Sequence, residues 1–330
     1  MLIEAKYKHW DGLRSTIWGR RGVIAWQGFK SALTMKSARF FITMGWATAL
    51  AQTAILFFIG QLLVEDSLVF LVLEGAQGPI RGIARGLITW LVDHPEISVR
   101  ATHTLLFYFF ASWTMPLAIV IGLVAVPNAI SRDLASNAIL VYQSKAVNRL
   151  DYLMGKWASL FGLMSMTWFL PLAAAWFFGN LMAPSWTFFW HSKLALFRLS
   201  VFAIPTMSIL AILMLGVSAL NKRPASTIAI WLAIWIAPAA FLVPIAYQTK
   251  DWLRFLSFTH NLKQFASGVF QLGKEFELVE KNIPVFGDVM SGAVSKFRIL
   301  DTPDVGTAIL ALGLMIILAS VTLWRKVRPQ

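Results

Sequence analysis

Residues 199–220 read LSVFAIPTMSILAILMLGVSAL, and none of these 22 positions carries a charge. As an α-helix the stretch rises about 33 Å, enough to cross a hydrocarbon layer roughly 30 Å thick. Lipid offers no partner to an open amide, so the backbone there must be helical. Five more stretches have the same character: Phe40–Leu63, Leu105–Val126, Trp157–Phe178, Ala225–Tyr247 and Val305–Leu323. A soluble core does not need them, because helices of soluble proteins keep a polar face. The chain is 58% hydrophobic and 14% charged, well below the charge content usual in soluble domains. The fold class expected is all-α: one polytopic transmembrane domain over 1–330, with six transmembrane helices.

Charge sets the expected orientation. With the N-terminus on the cytoplasmic side, the inner segments are 1–39, 127–156, 221–224 and 324–330. They hold 17 of the 29 Lys and Arg residues but 4 of the 16 Asp and Glu, so the whole formal charge of +13 lies on them. This is the positive-inside bias, and it predicts both termini in the cytoplasm of a cell inner membrane. The basic balance is then a topological signal with attraction to anionic lipid, and no nucleic-acid partner is expected. Residues 1–8 lack an apolar stretch followed by a cleavage site, so the first span is expected to act as the targeting signal.

The segments outside the spans carry further patterns. Val23, Trp26, Phe29 and Leu33 recur at helical spacing within a basic tail, which predicts an interfacial helix before the first span, with Lys30 snorkelling beside the stripe. In outer segment 64–104, Ile80, Ile83, Leu87 and Leu91 share a helical face. Outer segment 248–304 opens with aromatic-rich Trp252–Phe270, expected as a re-entrant or interfacial helix. A seventh crossing there would bury Arg254, His260, Asn261 and Lys263. Pro116, Pro127, Pro171, Pro205, Pro238 and Pro244 mark kink positions.

Chemistry-bearing patterns are few. Without cysteine, disulfides and thiolate metal sites are excluded. The five histidines have no ligand spacing and read as solvated interface groups, so neither a metal site nor a cofactor is expected. Neither a P-loop nor a hydrolase or zinc-protease motif occurs. No catalytic residues are assigned, and the chain is not expected to be an enzyme. Within the spans only mild polar groups occur, among them Gln52, Thr114, Thr167 and Ser218. Arg198, just before its span, is expected to reach the outer headgroups. An ion-driven carrier needs an intramembrane charge. Energy for transport is therefore expected from outside the chain.

The inner loop 127–156, PNAISRDLASNAILVYQSKAVNRLDYLMGK, is far longer than a connector needs. Asn148 and Asp151 are spaced to cap a new helix. Its runs Ile130-Ser131-Arg132-Asp133, Ser136, Tyr142-Gln143-Ser144-Lys145 and Arg149 through Lys156 resemble the first cytoplasmic loop of ABC-2 type exporter permeases. Ser257-Phe258-Thr259-His260, then Phe265 and Gly268-Val269, is similar to the segment before that family's last span. Ala146 follows Ser144-Lys145 where many members have proline.

The resemblance implies a permease subunit that pairs with a second, identical or homologous one. Each would contact a separate cytoplasmic P-loop ATPase holding ATP-Mg. It implies a coupling helix within 128–145 and a connecting helix at 20–38. The coupling-loop residues are then Arg132, Asp133, Ser136, Tyr142, Lys145, Arg149, Asp151, Gly155 and Lys156, and the outer-helix motif is His260, Phe265 and Gly268. The outer segments 64–104 and 274–304 are candidate surfaces for a periplasmic partner. Two alternatives stand beside this reading: a membrane scaffold or assembly protein that does not transport, and an ion-coupled secondary carrier.

Overall fold

A computed structural model describes residues 16–62, 93–138, 148–246, 248–282 and 303–327. The stripe from Ile80 to Leu91, and the loop residues Tyr142 and Lys145, lie outside the described residues. Among the described residues every element is helical, and six helices are long and apolar enough to cross a membrane.

Helix α1 (Ile17–Leu33) starts at Thr16, whose hydroxyl accepts from the Gly19 amide at 3.1 Å. A short break at Thr34 and Met35 separates it from the first span, α2 (Lys36–Leu62). The stripe expected on α1 divides in the structure. Phe29 and Leu33 pack on the bundle, whereas Val23 and Trp26 are exposed together with Ile17 and Trp18. An exposed tryptophan pair beside Arg20 and Arg21 suits a helix lying at a membrane interface.

The remaining spans are α3 (Pro95–Ala135), α4 (Arg149–Leu181), α5 (Thr187–Leu220), α6 (Pro224–Ala246) and α9 (Val305–Lys326). Between the last two come a 3-10 turn (Asp251–Leu256), α7 (Phe258–Phe270) and α8 (Leu272–Asn282). Helices α3, α4 and α5 outrun their apolar stretches by about two to just over three turns, because hydropathy marks the hydrocarbon layer and a helix continues beyond it. Helix α5 is the hub. It packs on α3, α4, α6, α7 and α9, and 61% of its apolar window is buried against 11% for α6.

Prolines shape three of the spans. Pro127 and Pro238 each open a π-helical turn, and the π turn Ser165–Phe169 ends two residues before Pro171. A wider turn absorbs the clash and the missing donor that a proline imposes. Pro116 and Pro205 instead sit in unbroken α-helix.

Two local expectations are corrected. Asn148 does hold the N-cap position of α4, with extended backbone, but its side chain makes no capping hydrogen bond. Asp151 is in the first turn yet faces Arg21 of α1, because an ion pair to a neighbouring helix outcompetes a local cap. Arg198 does not reach headgroups. It lies about 33 Å from Leu220 along α5, where the helix is still packed on α3, and it is 5% exposed.

Candidate functional site

The basic end of the bundle gathers α1, the exit of α3, the start of α4 and the end of α9. Its geometry starts at Pro127. The π turn leaves backbone groups out of register, and one side chain from α5 recovers them. Ser218 Oγ donates to the Val126 carbonyl at 2.6 Å and accepts from the amides of Ile130 and Ser131 at 2.8 and 2.9 Å. Ser131 Oγ in turn meets Thr227 Oγ1 at 2.8 Å and donates to the Asn221 carbonyl, so α6 joins the same knot. The last turn, Arg132–Ala135, then ends near Asn137, whose φ of 54° is left-handed, a conformation asparagine tolerates better than most residues.

Residues of the two halves of loop 127–156 converge here. Asp133 accepts from Tyr152 Oη and from Lys156 Nζ, both at 2.7 Å. Arg21 reaches Asp151 at 2.7 Å, with the carboxylate only 3% exposed. Gly155 lets α1 approach: a Cβ there would come 2.7 Å from Ile24. Gly28 does the same toward Ser159 from the other side. Arg149 donates to the Leu323 carbonyl at 3.0 Å and to that of Trp324, with its guanidinium 4.2 Å over the Trp324 ring. Ser136 only closes its own turn, donating to the Arg132 carbonyl at 2.9 Å. The ends of α1, α3, α4 and α9 are thereby joined in one brace. Beside it, between α1, α3 and α4, lies a cavity of about 310 Å³.

The outer motif does a different job. The Phe265 ring packs against Phe202 of α5 at 5.9 Å, and Gly268 seats α7 on the first residue of α9, since a Cβ would meet Val305 Cγ2 at 2.2 Å. The His260 amide donates to Ser257 Oγ at 3.4 Å, and its ring meets Phe255 edge-on at 5.4 Å. Burial first, then the neighbouring charges of Arg254 and Lys263, holds this imidazole below its ordinary pKa. Asp304 caps α9 by accepting from the Thr307 amide at 3.1 Å, which keeps its carboxyl below the usual range.

Sequence reasoning missed a buried charge cluster at this end. Arg198 of α5 donates to Glu275 Oε1 of α8 at 2.8 Å, and Arg100 of α3 reaches the same oxygen at 2.9 Å. Arg198 also contacts Thr104 Oγ1 at 3.3 Å and Gln271 Oε1 at 3.4 Å. The cluster pins the outer helix α8 to two spans. A signal was present: Glu275 lies between Leu272 and Phe276 on the apolar stripe of α8, and all three are buried. His103, read as solvated, is also buried, with Nδ1 2.8 Å from the Val99 carbonyl and its ring stacked on Phe107. In mid-span, Gln52 of α2 is fully buried, and neither amide atom has a partner among the described residues.

Comparison with known proteins finds no family model that matches this chain and no curated protein significantly similar to it. The chain is a polytopic, all-α integral membrane protein with six apolar spans.

Proposed function

We infer that this chain is the membrane subunit of an ATP-driven exporter of the ABC-2 type, receiving force from a separate cytoplasmic ATPase at its basic end. The observation that supports the reading is the Asp133 carboxylate bound by Tyr152 and Lys156. It ties the end of α3 to the start of the third span. A push on Arg132–Ala135 therefore passes into α4 directly, into α1 through Arg21–Asp151, and into α9 through Arg149. A connector with no load to carry would not need this brace. In this reading ATP binding on the partner biases a bundle with two packings, and the cargo's differential affinity for them sets how well transport couples to it. No bond is made or broken by this chain. Arg132, Asp133 and Lys145 are the assigned contact region, with Asp133 acting through its hold on Tyr152 and Lys156.

The test is co-purification with a P-loop ATPase that lacks spans, followed by ATPase assay in lipid. Stimulation by the wild-type chain, reduced in Arg132→Ala and Asp133→Asn, is the expected result. Unchanged association and stimulation remove these residues from the role. Because the chain lacks cysteine, Ser136→Cys and Lys193→Cys report sidedness cleanly. Labelling of Ser136→Cys from outside the cell would defeat the proposal.

The Arg198–Glu275 pair gives the secondary-carrier reading its one specific foothold. The pair is at the far end from the brace, and both arginines converge on one carboxylate oxygen, an arrangement suited to holding α8 closed. Solute movement driven by an ion gradient with no nucleotide-binding partner would favour the carrier.

A further inference from the structure

The cavity at the basic end changes character along the membrane normal on two walls at once. On α3 the lining runs from Arg132 through Asn128 to Val124. On α4 it runs from Lys156 through Leu160 to Leu163. Each series covers about 10–12 Å of helix, polar and cationic at the basic end and apolar toward the middle of the bundle. The third wall is α1, whose exposed Trp18 and Trp26 set it at the interface. On the α3 and α4 walls the cavity thus has the polarity profile of a lipid in the leaflet beside it, while α1 contributes Val23 and Ile24 and then Gln27 and Ser31.

Charge favours an anion at the polar end. Arg132 and Lys156 oppose a single acid, Asp133, and Lys156 is already its partner. The Arg132 side chain is exposed and, among the described residues, reaches only Asn128 Oδ1, at 3.5 Å, leaving most of its donor fork open to them. A guanidinium with open donors matches a phosphodiester in a bidentate way, and the net positive charge of Arg132, Lys156 and Asp133 together repels a headgroup that carries its own cation, as choline does. We propose that this cavity binds an anionic phospholipid of the inner leaflet, its phosphate on Arg132 and its acyl chain along Val124, Leu160 and Leu163. The bound lipid wedges between α1 and the bundle; the site shares Arg132 with the contact region of the exporter reading, and binding is read without the ATPase so that the two fail separately.

The experiment uses the purified full chain without any ATPase. It is exchanged into zwitterionic detergent, titrated with phosphatidylglycerol or phosphatidylcholine, and read by native mass spectrometry for lipid that stays bound. One phosphatidylglycerol per chain is expected, with phosphatidylcholine at least about tenfold weaker. Arg132→Gln should weaken phosphatidylglycerol about tenfold, the scale of one charge-assisted hydrogen bond. Ser31→Trp, an exposed position on the α1 wall, should block the acyl end while leaving Arg132 in place. Equal binding of both lipids overturns the proposal, as does full retention in both variants. Displacement by inorganic phosphate at the lipid's own affinity would show a free-anion site instead, and would also overturn it.

Discussion

Arg198 and Glu275 form an ion pair at 2.8 Å between a span and the outer helix α8, with side chains 6% and 1% exposed. Removing one partner of such a pair strands a buried charge, which typically costs about 3–5 kcal/mol. Glu275→Ala should therefore lower thermal stability sharply and free α8. Arg198→Met with Glu275→Leu should recover much of the loss, because a packed apolar pair avoids desolvation altogether. A cycle of single and double variants followed by thermal unfolding in detergent checks this. Additive losses would show that the two residues do not act together.

Ser218→Ala removes the hydroxyl that serves one carbonyl and two amides around the Pro127 turn. Three hydrogen bonds go, and buried backbone groups are left without a partner, so a loss of about 2–3 kcal/mol is expected. Hydrogen exchange should rise at Ile130 and Ser131 before it rises elsewhere. Uniform exchange across α3 would mean that the π turn does not rely on α5.

Gly28 and Ser159 offer a crosslink between α1 and α4. A Cβ at Gly28 would stand 3.1 Å from Ser159 Cβ, a few tenths of an ångström short of a disulfide's usual span. Gly28→Cys with Ser159→Cys should close on mild oxidation, and no native thiol competes. Adding Gly155→Val, which collides with Ile24, should slow that closure. Failure of the pair to oxidise would place α1 away from the bundle in the membrane.

His260 provides a pH dependence. Its imidazole is held below the ordinary value of 6.5, so the folded form prefers the neutral ring. The unfolded chain then binds more protons, and this contribution is complete above about 6.5 and lost as pH falls through the folded pKa. Melting temperature measured from pH 7.5 to 5 should fall less in His260→Gln than in wild type. Parallel curves would clear His260 of any part.

The spans were readable because hydrophobic runs of helical length have no other use in this chain. The α1 helix was readable too, but not the face it buries, since Gly28 and Gly155 decide that and a glycine carries no hydropathy signal. Arg198 shows the limit most clearly. Its partner is 77 residues away on another helix, and nothing local to position 198 says where the guanidinium points. Asp133 and Lys156 stood out in the loop pattern, but Tyr152 joining them depends on how α3 and α4 cross, and Tyr142 and Lys145 lie outside the described residues.

Arg149 holds carbonyls that belong to a helix encoded 174 residues later. During synthesis α3, α4 and α6 can insert and pack around α5 while that tie is still unmade. That tie at the basic end therefore forms only after nearly the whole of α9 has been made. A chain that stops before α9 would keep the ties of Asp133 to Tyr152 and Lys156 and of Arg21 to Asp151, and would lack only the one that fastens α4 to the last span.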